Sequence, residues 1–131
     1  MSENKFQNES IVVKKTYAFA LEIIKTYKFL NNEKKEFILS KQLLRPGSSI
    51  GANVNEAISA QSKKDFVHKL CVALKESRET LYWSNLLYDS DYLTNEIFNT
   101  LKEKCNEINK ILSSIILTTK QKYFQQKTHN S

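Results

Sequence analysis

A chain of 131 residues with only two glycines and one proline, whose apolar residues recur every three or four positions through four stretches, predicts an all-α fold. The turn residues that a many-stranded sheet requires are missing, and the helical period runs through nearly the whole length. The architecture expected is an antiparallel up-down-up-down four-helix bundle with a kinked second helix. It forms a single domain over residues 1–131, with about 1–8 and 121–131 flexible.

Val12, Val13, Thr16, Tyr17, Ala20, Ile23, Ile24, Tyr27 and Leu30 mark the first helix, from about residue 9 to 31. Asn31-Asn32 ends it, and Asn32 is placed to cap the second. That second helix carries Leu39, Leu43, Ile50, Val54 and Ala57 and runs to about residue 60.

Inside it lies Arg45-Pro46-Gly47-Ser48-Ser49-Ile50-Gly51, which holds the only proline and both glycines. A phosphate-binding GxxxxGK[ST] loop is excluded, because the two glycines are four apart and no lysine follows. On a wheel of about 100° per residue, Leu39, Leu43, Pro46, Ile50, Val54 and Ala57 share one stripe, so helical phase survives the proline. Pro46 removes its own amide bond to the Gln42 carbonyl and bends the helix rather than ending it.

Ser62-Lys63-Lys64-Asp65 reads as a capping box with Asp in place of Glu. The third helix follows, with Phe66, Leu70, Ala73, Ser77, Leu81, Ser84 and Tyr88 on one face. Asp89 to Leu93 forms a short polar link, and Thr94 caps a fourth helix bearing Ile97, Leu101, Cys105, Ile108, Leu112 and Ile115.

The net charge of +6 comes almost wholly from lysine, with Arg45 and Arg78 the only arginines. It is spread: +2 over residues 1–32, +1 over 33–61, +1 over 62–90 and +2 over 91–131. A lysine-coated helical surface is the plain reading, and attraction to RNA or DNA the competing one. The one acid-free basic run contains Lys120, Lys122, Tyr123 and Lys127, whose interleaved cations and aromatics suit backbone contact with base stacking. The polar N-terminal stretch, the absence of an apolar run of membrane length and two cysteines without CxxC spacing fit a cytoplasmic protein without a membrane partner.

Two further groupings stand out. Gln42, Arg45, Ser49, Asn53 and Glu56 form a polar stripe bordering the apolar face of the second helix. Arg45 and Glu56 are eleven residues apart, about 16 Å along a helix, so their partners come from elsewhere, with Glu79 and Glu107 the candidates by type. The stripe is either a solvated face or a hydrogen-bonded network between helices or subunits. On the third helix, Tyr82, Trp83 and Leu86 lie opposite the core face and read as an oligomer contact.

The stretch from Ser48 to Leu87, SSIGANVNEAISAQSKKDFVHKLCVALKESRETLYWSNLL, with the later EINKILSSIILTTK, closely resembles the four-helix-bundle family named after the intervening sequences of bacterial 23S ribosomal RNA. The family's second helix carries an Arg, then Ser-Ile, then Asn-Ile-Ala-Glu; Arg45, Ser49-Ile50 and Asn53-Val54-Asn55-Glu56 match these here. Asn55 departs from the usual Ala, and Pro46 lies one turn before the usual proline position, which Gly51 occupies. The resemblance implies a homopentamer. Related accessory proteins of diversity-generating retroelements bind a reverse transcriptase and nucleic acid.

No catalytic, cofactor or metal site is expected. Asp65 and His68 supply only half of a paired carboxylate-x-x-His arrangement. The reading is therefore a non-enzymatic oligomeric scaffold that binds nucleic acid or a protein partner. The alternative is an enzyme using Arg45, Asn53, Glu56 and Glu79, with Glu56 and Glu79 as acid and base.

Overall fold

A computed structural model describes the backbone of residues 2–130 and the side chains of residues 9–123. It consists of four helices: α1 Ser2–Asn32, α2 Leu39–Ile58, α3 Lys63–Asp89 and α4 Asn95–Asn130. Each helix packs against two others, α1 on α2 and α4, α3 on α2 and α4, so the diagonals are filled by side chains. Paired residues run in opposite senses: Thr16 and Ile23 of α1 meet Gly51 and Gly47 of α2, while Arg45 and Glu56 of α2 meet Glu79 and Lys69 of α3.

The core is one cluster in which Phe19, Ile23, Leu30, Leu43, Ile50, Leu70, Leu87, Leu101, Ile108 and Leu112 are fully buried. At roughly 1.5–3 kcal/mol per large side chain removed from water, it is the main source of stability. Its hydroxyls are satisfied within their own helices: Thr16 Oγ1 donates to the Val12 carbonyl at 2.7 Å, and Ser84 Oγ to that of Thr80 at 2.8 Å.

The helix starts divide into expected and unexpected. Ser62 Oγ accepts from the Asp65 amide at 3.1 Å and Thr94 Oγ1 from the Ile97 amide at 3.2 Å, as capping requires. Asn32, by contrast, is the last residue of α1 and caps nothing; α2 begins only at Leu39. Glu36, buried in the link, supplies the cap, its carboxylate accepting from the amides of Ile38 at 3.1 Å, Leu39 at 2.9 Å and Ser40 at 2.7 Å. These are three of the donors a helix start leaves without partners.

With glycine used up inside α2, α3 ends on an aspartate. Asp91 takes φ 68°, its amide bonds the Tyr88 carbonyl at 3.0 Å and that of Tyr92 the Leu87 carbonyl at 2.9 Å, the Schellman pattern.

α2 continues through Pro46, so the glycine-bearing stretch is helix and not loop. α1 differs from expectation in its facing. Val12, Thr16, Phe19, Ile23, Thr26 and Leu30 point inward, whereas Tyr17 and Ile24 are exposed. Inward spacing of 4-3-4-3-4 leaves Tyr17 and Ile24 on the far side of the helix.

Candidate functional site

The seam between α2 and α3 gathers most of the polar residues singled out above. Arg45 extends from α2 across to α3, where its guanidinium pairs with Glu79 and stands 3.7 Å from Glu76 Oε2. The Glu76 oxygen is buried and makes no hydrogen bond. One turn on, Ser49 Oγ donates to the Arg45 carbonyl at 2.7 Å, and Asn53 Nδ2 donates to the Ser49 carbonyl at 2.8 Å. Glu56 pairs with Lys69 of α3 at 2.7 Å, and Gln42 is exposed. The stripe is thus a half-solvated strap: two ion pairs join the helices at its ends, while Ser49 and Asn53 spend their bonds within α2. Glu107, the other partner considered for Arg45, instead pairs with Lys15 of α1.

Trp83 continues the seam toward the C-terminal end of α3. It is half-buried against the core, and its indole Nε1 is buried without an acceptor. Tyr82 meets it edge-on, ring centroids 5.0 Å apart, and is 59% exposed; Leu86 is 36% exposed. Tyr82 and Leu86 therefore face outward, with Trp83 bracing Tyr82 from behind.

Sequence reasoning missed a second outward apolar row on α1, where Tyr17 is 65%, Leu21 53% and Ile24 38% exposed. Its signal was present in the 4-3 spacing of those three residues.

Of the basic run, Lys120 is exposed and Lys122 and Tyr123 half-buried. The side chain of Lys127 lies outside the described residues.

The groups needed for catalysis do not converge. Glu79 holds Arg45 and Glu56 holds Lys69; Lys69 and Glu79 are ten residues apart on α3, about 15 Å, so the two carboxylates cannot serve one proton transfer. His68 is exposed, and no group of three His, Cys, Asp or Glu among the described residues could hold a metal ion. Cys105 is buried at 3.7 Å from Ser77 Oγ, and burial pushes its thiol up from 9.0 to about 11 despite the Ser77 hydrogen bond, a setting for an inert thiol rather than a nucleophile. Among the described residues no helix is long and apolar enough to cross a membrane.

Residues 8–114 match the family model described as 23S rRNA-intervening sequence protein. The crystal structure of a protein of unknown function from the S23 ribosomal protein family of Bacteroides thetaiotaomicron is 50% identical, with a TM-score of 0.82, over 83% of this chain and 97% of that one. No curated protein matches the chain. The family match takes in most of α1 and ends before the basic run of α4.

Proposed function

The chain belongs to the 23S rRNA-intervening sequence protein family, and from that premise we propose a non-enzymatic homo-oligomeric scaffold that offers a lysine surface to the phosphates of RNA or DNA. The observation carrying this reading is the outer face of α3. Tyr82 and Leu86 stay exposed on a bundle whose own core is already closed, and adjoining exposed apolar groups of this kind mark contact surfaces. Assembly as a homopentamer is the form the resemblance implies. It multiplies a cationic surface that is weak in one copy, with a net charge of +6 per chain.

Two measurements test the reading. Sedimentation velocity at micromolar concentration is expected to show particles several times the chain mass of 15.3 kDa; monomers alone would defeat the oligomer. Binding to single strands is expected to weaken steeply as salt rises, through counterion release. Indifference to salt would move the proposal from nucleic acid to a protein partner.

A further inference from the structure

α1 carries two seams at coiled-coil spacing, and the bundle uses one. Val12, Thr16, Phe19, Ile23, Thr26 and Leu30 are buried. On the opposite side, Lys14, Tyr17, Leu21, Ile24 and Lys28 follow at steps of three, four, three and four, all exposed. That alternation is the one by which a second helix docks. Its chemistry is specific: three apolar residues flanked by a lysine at either end, with Lys25 beside them. Projection at about 100° per residue places no carboxylate on this face.

α3 shows a second outward seam with the opposite ends. Glu79, Tyr82, Leu86 and Asp89 follow at steps of three, four and three. Tyr82 and Leu86 are exposed, Asp89 is exposed, and the Glu79 side chain remains 38% exposed beside Arg45. Here carboxylates flank an apolar centre, with Lys75 one turn further back.

We propose that the α1 seam of one copy packs against the α3 seam of a neighbouring copy. This rests on the homo-oligomer reading and specifies its contact. Two α1 seams brought together would set lysine against lysine in either orientation, and two α3 seams carboxylate against carboxylate. Like charges facing across an interface disfavour such pairings. The mixed pairing buries both apolar centres and sets Lys14 or Lys28 near Glu79 or Asp89. Such a contact joins different surfaces of identical chains. Every copy then has one donor and one acceptor seam, and the assembly closes into a ring if the rotation allows.

Sedimentation velocity on the full chain tests the pairing. Leu21→Glu disables the α1 seam and Leu86→Glu the α3 seam; both are surface positions, and circular dichroism verifies that each variant folds. Each variant alone is expected to sediment as a monomer. An equimolar mixture at high concentration is expected to form a dimer, because one intact seam of each kind remains. A monomeric wild type overturns the oligomer reading itself. A wild-type assembly that survives Leu21→Glu, or two monomeric variants that ignore one another, overturns this pairing alone.

Charge reversal supplies a test without apolar substitutions. Lys14→Glu with Lys28→Glu is expected to dissociate the assembly, and adding Glu79→Lys with Asp89→Lys to the same chain to restore it. Dissociation without restoration also overturns the pairing.

Discussion

A Cβ on Gly47 would stand 2.7 Å from Cγ1 of Ile23 and 2.8 Å from its Cδ1 and Cγ2. Gly47 is therefore the point at which α2 comes down onto α1. Ile23 is fully buried and branched at Cβ, so it cannot swing aside. Gly47→Ala gains up to about 1 kcal/mol of helix propensity but meets an overpacking cost of roughly 1–3 kcal/mol. The expected result is a net loss of stability in denaturant melts. Gly51→Ala, whose Cβ would meet the Thr16 carbonyl oxygen at 3.3 Å, is expected to cost less. A Gly47→Ala protein as stable as the wild type would show that α1 and α2 are not so closely packed.

Glu36 gives a second prediction. Its carboxylate takes three amides at the start of α2 from a position only 8% exposed. Hydrogen bonds to a charged group contribute about 1.5–3 kcal/mol, and loss of a helix cap about 0.5–2 kcal/mol. Glu36→Ala is expected to lower stability by about 2 kcal/mol, on the order of 5–10 °C in Tm for a domain of this size. Glu36→Gln, which keeps one acceptor oxygen, falls between. Equal melting of Glu36→Ala and the wild type would remove the cap.

These two sites show what was legible in the chain and what was not. The Ser62 and Thr94 caps could be read because each side chain bonds an amide three residues on, a local rule with a narrow choice of residue. Glu36 reaches forward two to four residues from a link, outside that rule, and Asn32 took its place in the sequence reading. The facing of α1 failed for a different reason. Apolar residues on two opposite sides leave periodicity unable to choose which side turns inward, and Phe19 against Tyr17 is decided only by what α2 and α4 present. In the polar stripe, Glu79 could be named as a partner of Arg45 by charge, but nothing local showed that Lys15 would take Glu107.

Cys105 predicts a pH dependence. Burial raises its thiol to about 11, above its ordinary 9.0, so the folded chain keeps the proton after the unfolded chain has lost it. Stability from this group is complete below about pH 9 and is lost as pH rises from there toward 11, because the unfolded state binds fewer protons across that window. Two pK units correspond to about 3 kcal/mol at most. Urea melts at pH 8 and pH 10.5 are expected to show a larger drop for the wild type than for Cys105→Ala. Equal drops would refute the shift. In the native state a thiol reagent is expected to modify half-buried Cys71 before Cys105.

The basic run of α4 yields the last prediction. Only two arginines are present for bidentate base readout, and Arg45 is engaged with Glu76 and Glu79. Lysines contact phosphates without reading bases, so binding is expected to tolerate sequence. Several copies of a weak cationic surface add through avidity only when one strand reaches more than one copy. Affinity is therefore expected to rise with strand length. Lys120→Gln, Lys122→Gln and Lys127→Gln together are expected to weaken binding about equally for all sequences and to reduce its salt slope by up to about 3, since each phosphate contact adds roughly one. The measurement is a titration of short and long single strands at two salt concentrations, on the wild type and the triple variant. Because these lysines lie beyond the family match at residue 114, an unchanged slope in a protein that still binds would place the contact on the bundle instead, with the exposed lysines of α1 next to be replaced. Binding that ignores length, salt and the triple change alike would defeat the electrostatic reading altogether.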